Sequence, residues 1–291
     1  PPKDGGAAPK RPTPQPAKPE PTPVVAHDPP PQTPTRPTSD DAAAALMRKA
    51  DEEIGAARAS GDADALRRAL APKVWDRRFS AVAREAWLEE SRLLAKRVVF
   101  SATPMKHAIF ETVRDGDHYV GICARLKKEK GLSVVPGFLS RVNDVAPEKL
   151  RPNMKLKVPT EPLSIVVDKD DFRLWLLLGD GHLLDYKVGL GRDEKTPEGA
   201  FVISEKTKNP MWTDPRTNRD IRYGEPGHLI GSRWLRFGTL DGARTTFGIH
   251  GTVDPQSIGK AQSDGCVRMR TPDVEELYDL VPAGAKVVVR R

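Results

Sequence analysis

The stretch His250-Gly-Thr-Val-Asp-Pro-Gln-Ser-Ile-Gly-Lys-Ala-Gln-Ser-Asp-Gly-Cys-Val-Arg-Met269 sets a histidine and a cysteine sixteen positions apart in one short segment. A free thiol is only slightly ionised at neutrality, so a nucleophilic cysteine needs a nearby base or cation. Gly265, directly before Cys266, gives the backbone freedom to turn its N–H groups toward a developing oxyanion. Histidine preceding cysteine argues against a papain-like order. Spacing alone does not separate a catalytic pair from two packing residues.

Outward from this stretch, residues 162–291 read as strand-rich. Leu163–Val167, Phe172–Leu178 and Leu183–Leu190 alternate or run apolar, and Gly179-Asp180-Gly181 supplies a hairpin turn. Gly199–Ile203, Trp234–Phe237, Thr246–Ile249 and Lys286–Val289 add shorter strands. One helix is expected over Pro272–Leu280, with acidic residues at its start and Pro282 after its end.

The wider context carries a resemblance. His250-Gly-Thr followed by Ser263-Asp264-Gly265-Cys266-Val267-Arg268-Met269 resembles the signature of the L,D-transpeptidase catalytic domain (the YkuD-type fold), H-G-T…S-H-G-C-[IV]-R-[ML]. Upstream, Thr196-Pro-Glu-Gly-Ala-Phe201 is similar to that family's TPxGxF segment. Asn209-Pro-Met-Trp212 and Leu229-Ile-Gly-Ser-Arg-Trp-Leu235 are similar to its substrate-side loop and the strand before the histidine. The resemblance implies a peptidoglycan enzyme acting on stem peptides. Cys266 would attack the L,D bond of a stem tetrapeptide, expel D-alanine and form a thioester, which an amine acceptor then resolves. His250 would carry the proton. The N–H groups of Gly265 and Cys266 are the candidate oxyanion donors, and Ser263 would orient His250 or the turn. Arg268, Gly251, Thr252, Trp212 and His228 are the candidate substrate contacts; Arg268 would hold a substrate carboxylate or brace the loop. No metal or organic cofactor is implied, and carbapenem-type inhibitors are expected to acylate Cys266. Two alternatives stay open: an L,D-carboxypeptidase or hydrolase using the same cysteine, and a non-catalytic wall-binding protein. Asp264 stands where the family often has histidine. Its charge would raise the thiol pKa unless Arg268 or Arg270 offsets it.

Residues 108–159 carry a second resemblance. Val113-Arg-Asp-Gly-Asp-His-Tyr-Val-Gly-Ile-Cys123, with Val142-Asn143 and Leu150-Arg-Pro-Asn-Met-Lys-Leu-Lys-Val-Pro159, is similar to the opening and close of a LysM module. This implies a βααβ unit that binds glycan strands. His118-Tyr119 departs from the Thr-Leu of that pattern. Cys123 reads as a buried small hydrophobe with an inert thiol, and His182 as a turn residue. Tyr223 and Trp234 read as packing.

The two cysteines are too few for a disulfide framework and lack zinc-ligand spacing. Residues 39–107 show helical apolar spacing, with Ser39-Asp40-Asp41 as an N-cap and Gly61-Asp62 as a break. Fourteen of the 28 prolines fall in residues 1–38, which read as a disordered Pro-rich linker. The net charge of +7 divides as +2 over 1–38, +6 over 39–159 and −1 over 160–291. The basic middle fits an anionic surface, but no Arg/Lys stripe interleaves with stacking aromatics, so nucleic acid is not the expected partner. The expected fold class is multidomain α+β: a helical N-terminal domain (39–107), a LysM-like βααβ module (108–159) and a β-rich L,D-transpeptidase catalytic domain (162–291). The expected location is the cell envelope, periplasmic or extracytoplasmic, by way of an N-terminal anchor or export segment absent from this chain.

Overall fold

The computed structural model describes residues 40–291, so the Pro-rich leader and Ser39 lie outside the described residues. Three helices come first: α1 (Asp40–Ala59), α2 (Ala63–Val74) and α3 (Ala81–Val98). The Asp62 carboxylate caps α2 by accepting from the N–H groups of Asp64 and Ala65, and Ser80 caps α3 by accepting from Ala83 N–H.

A strand–helix–helix–strand unit follows, comprising β1 (Ala108–Thr112), α4 (Tyr119–Lys130), α5 (Pro136–Asn143) and β2 (Lys155–Pro159), with β1 and β2 antiparallel. Gly131 ends α4 in the left-handed region at φ 68°, and Pro136 opens α5 at a position whose N–H would have no partner inside the helix. Val113, Ile122, Leu126, Leu139, Leu156 and Val158 fill a small core of its own. Cys123 packs in that core at 7% exposure, and burial pushes its thiol up to about 11, so it is inert at neutral pH.

The remainder is built on one large sheet. Its strands are β3 (Leu163–Asp168), β4 (Arg173–Leu178), β5 (Gly181–Lys187), β6 (Leu190–Gly191), β7 (Gly199–Lys208), β8 (Trp212–Thr213), β9 (Asp220–Ile221), β10 (Arg233–Gly238), β11 (Arg244–Gly251), β12 (Ala261–Ser263), β13 (Val267–Met269) and β14 (Lys286–Arg290). Helix α6 (Thr271–Leu280) joins β13 to β14. Eight strands pair in the order β13-β11-β10-β7-β14-β3-β4-β5. The β11–β13 and β14–β3 pairs are parallel. A parallel pair needs a long return path, and the segment between β11 and β13 is the stretch that holds Ser263, Gly265 and Cys266. Strand β7 runs on to Lys208, past the expected Ile203, because β10 pairs with it as far as that residue.

The helical region packs directly against the sheet. Ala95, Val98 and Val99 of the α3 end share one hydrophobic core with β3, β4 and β14. Arg67 of α2 is fully buried, gives 2.7 and 2.9 Å bonds to Asp64, and donates to the His182 carbonyl on β5 at 2.9 Å. Arg92 of α3 reaches Asp185 on β5 at 2.8 Å. Charge matching therefore fixes the helices on the β4–β5 edge, at the opposite end of the sheet from β11 and β13. His182 lies in β5 directly after the expected turn, with no exposure and its ring edge-on to Trp175 at 5.7 Å.

Candidate active site

Strand register assembles the site. On β11, His250 lies opposite Trp234 of antiparallel β10 and opposite Arg268 of parallel β13. Cys266 immediately precedes β13. Its side chain and that of His250 both line a cavity of about 970 Å³. Ser263, Arg268, Trp234 and Arg236 contribute further walls, and Met211, Trp212, Leu229 and Ile230 enclose it from the 209–230 loop.

The turn before Cys266 is held by short local bonds. Ser263 Oγ donates to the Cys266 carbonyl at 2.6 Å and accepts from Gly265 N–H at 3.1 Å. Ser263 therefore orients the turn. Gly265 sits at φ 125°, and a Cβ there would meet Phe247 at 2.4 Å, so only glycine fits on both counts. Its N–H donates to Ser263 Oγ and so takes part in holding the turn.

His250 is buried at 6% exposure, and its Nδ1 lies 2.5 Å from the Gly251 carbonyl. A carbonyl can only accept, so Nδ1 carries the proton and Nε2 is the basic nitrogen. Burial lowers the imidazole pKa to about 4; the Gly251 carbonyl opposes that shift, while Arg268 and His228 add to it. Burial likewise pushes the Cys266 thiol up, with the Gly248 N–H and Arg268 pulling it down and Asp264 adding to the rise. The resting pair at neutral pH is thus a thiol and a neutral base. That arrangement suits proton transfer during attack better than a standing thiolate–imidazolium pair.

The other expected contacts divide. Trp212 and Arg268 line the cavity. Gly251 and Thr252 do not: Gly251 supplies the carbonyl to His250 and packs against Gly231, and Thr252 bonds Asp254. His228 is buried, with Nε2 at 2.8 Å from the Pro210 carbonyl and Tyr223 edge-on at 5.6 Å. It pins the two ends of the loop and is not a wall of the cavity. Asp264 is paired with Arg192, and with Lys195 at 3.7 Å, so its charge is offset from the segment between β6 and β7, while Arg268 opposes its effect at the thiol. Trp234, read as packing, stands in the cavity wall, and the residue that sequence reasoning missed is Gly248. A Cβ on Gly248 would come within 2.5 Å of the Leu235 carbonyl and 3.0 Å of the Trp234 ring, so this glycine is required for space. Only the β10–β11 pairing makes that visible. Among the described residues no cluster could hold a metal ion, and no helix is long and apolar enough to cross a membrane.

Residues 162–289 match the L,D-transpeptidase catalytic domain family, YkuD. YqjB of Bacillus subtilis, assigned as an L,D-transpeptidase, is 32% identical over 133 residues, covering 45% of this chain and 73% of its own length. YkuD of the same organism, assigned likewise, is 34% identical over 133 residues, covering 45% of this chain and 68% of its own. Among solved structures, an L,D-transpeptidase from Mycobacterium smegmatis aligns with a TM-score of 0.35 at 18% identity, over 47% of this chain and 63% of that one.

Proposed function

The chain belongs to the L,D-transpeptidase family through its catalytic domain at 162–289, and on that premise we propose that it joins peptidoglycan stem peptides by acyl transfer through Cys266. The observation that carries this reading is the strand register: His250 pairs with Arg268, two residues past Cys266, and the side chains of all three open into one cavity. In the proposed reaction the Cys266 Sγ proton passes to His250 Nε2 as sulfur attacks the donor carbonyl carbon. The C–N bond to the terminal D-alanine then breaks, and the imidazolium returns its proton to the leaving amine. An acceptor amine attacks the thioester, giving its proton to His250, and the thiol is regenerated. With Gly265 N–H committed to Ser263, the Cys266 N–H is the proposed oxyanion donor.

Arg268 is assigned to the donor carboxylate. Arg192, Arg216 and Arg236 each have an acidic partner in the cavity wall, whereas among the described residues none is recorded for Arg268. An unpaired guanidinium beside the nucleophile favours a carboxylate-bearing ligand. The test is mass analysis of products from a purified stem tetrapeptide, with and without an acceptor amine. Cross-linked product with release of D-alanine is expected when the amine is present. Shortened peptide alone in both reactions would assign the chain as a hydrolase, and unchanged peptide in both would contradict catalysis.

We read residues 108–159 as a LysM-like glycan-binding unit, supported by the βααβ order and the pairing of its outer strands. Co-sedimentation with insoluble peptidoglycan is expected for the whole chain and reduced when this unit's exposed residues are altered. The substrate assigned here lies in the cell envelope, so an extracytoplasmic location goes with the reading.

A further inference from the structure

The imidazole of His250 is held by a neutral carbonyl and no carboxylate: among the described residues its one recorded acceptor is Gly251 O. The charged groups nearest to it are unhelpful to a positive ring. Arg268 faces it from β13, and both Arg268 and His228 oppose protonation. What covers the ring instead is Trp234, whose indole stacks on the imidazole with centroids 5.7 Å apart and planes 26° from parallel. The two residues are direct cross-strand partners. The indole is seated by Gly248, which leaves room for the six-membered ring at a point where any Cβ would stand 3.0 Å from it. The Arg236 guanidinium lies 5.6 Å from the same indole, but Glu205 holds that cation at 3.2 Å.

An aromatic face attracts a cation through its quadrupole, most strongly for indole and most of all where water is excluded. A neutral imidazole gains little from such a contact and an imidazolium gains more. We propose that Trp234 is a positioning residue for His250: its indole face fixes the plane of the imidazole and stabilises the imidazolium that forms as the Cys266 proton moves to Nε2. In that step the S–H bond breaks, an N–H bond forms at Nε2, and the electron pair stays on sulfur. The inference rests on the reading of Cys266 and His250 as nucleophile and base, and it adds the group that makes a carboxylate-free base workable.

The test is the rate of Cys266 alkylation by iodoacetamide from pH 6 to 10, in the whole chain, for wild type, Trp234→Phe and Trp234→Leu. Cys266→Ala serves as the blank for Cys123. Leucine keeps apolar volume without a π face, and phenylalanine keeps a face. The leucine variant is expected to react three- to ten-fold more slowly at pH 7, where attack needs the proton to move to His250, with the gap closing toward pH 10 as the thiol ionises on its own. Phenylalanine should restore most of the rate at pH 7. A leucine variant that melts normally and superimposes on wild type would overturn the proposal, and Trp234→Met supplies the same comparison should leucine prevent folding. Treatment of the wild type with a carbapenem runs in parallel. Alkylation without acylation would remove the acyl-transfer reading, while the alkylation profiles still decide the role of Trp234.

Discussion

At the residue scale, the chemistry of the site depends on small charge differences around one sulfur atom. Asp264 raises the Cys266 thiol even though Arg192 and Lys195 offset part of its charge. Removing the carboxylate as Asp264→Asn lowers the cost of forming the thiolate, so the pH–rate curve for carbapenem acylation should move to lower pH. At this exposed position a shift of a few tenths of a unit is expected. An unmoved curve between pH 6 and 9, or one moved upward, would contradict the assignment. Cys266, His250 and Ser263 were legible as candidates in the sequence because the motif keeps them within one short segment. The roles of Gly248 and Trp234 were not, because they arise from a cross-strand pairing that no local pattern encodes. The burial of His228 was hidden for a similar reason: its partner, the Pro210 carbonyl, lies at the other end of the loop.

At the scale of elements, the strands and helices follow from alternation and capping, and the sequence reading found most of them within a few residues. What it could not supply was attachment. The helices at 40–98 carry amphipathic patterns that fit a free hairpin equally well, and only the coordinates show Arg67, Arg68 and Arg92 reaching β5 and its neighbours. These contacts predict a division between stability and activity. Arg67→Ala removes a buried guanidinium and leaves the His182 carbonyl without its donor, which should cost about 3 kcal/mol of unfolding free energy. Denaturant titration measures that loss. Carbapenem acylation by the folded variant should stay at the wild-type rate, because the helices sit on the β4–β5 edge while Cys266 lies at the β11–β13 edge. A folded variant with impaired acylation would show that the helices influence the site.

At the scale of the whole molecule, the βααβ unit is joined to the end of α3 by a buried lysine and to α6 by the Arg141–Glu276 ion pair, as well as by apolar packing. Lys157 of β2 donates to the carbonyls of Val98 at 2.8 Å and Thr103 at 2.9 Å, and to that of Ser101, at the end of α3. Burial lowers its pKa to about 8 from an ordinary 10.5. Between those values the unfolded chain binds a proton that the folded chain has released, so stability rises with pH across that window. Lys157→Met should lose this rise. The difference in unfolding free energy between wild type and variant should therefore shift in favour of wild type from pH 8 to 10.5. A constant difference over that range would show that Lys157 is not buried as described.

The account as a whole stands on Cys266 accepting an acyl group with His250 as its base. Intact-mass measurement after incubation with a carbapenem tests this most directly, using wild type, Cys266→Ala and His250→Gln. One covalent adduct on wild type, none on Cys266→Ala and a rate lowered at least ten-fold in His250→Gln are predicted. An adduct that persists in Cys266→Ala, or a wild type that takes none, would contradict the account.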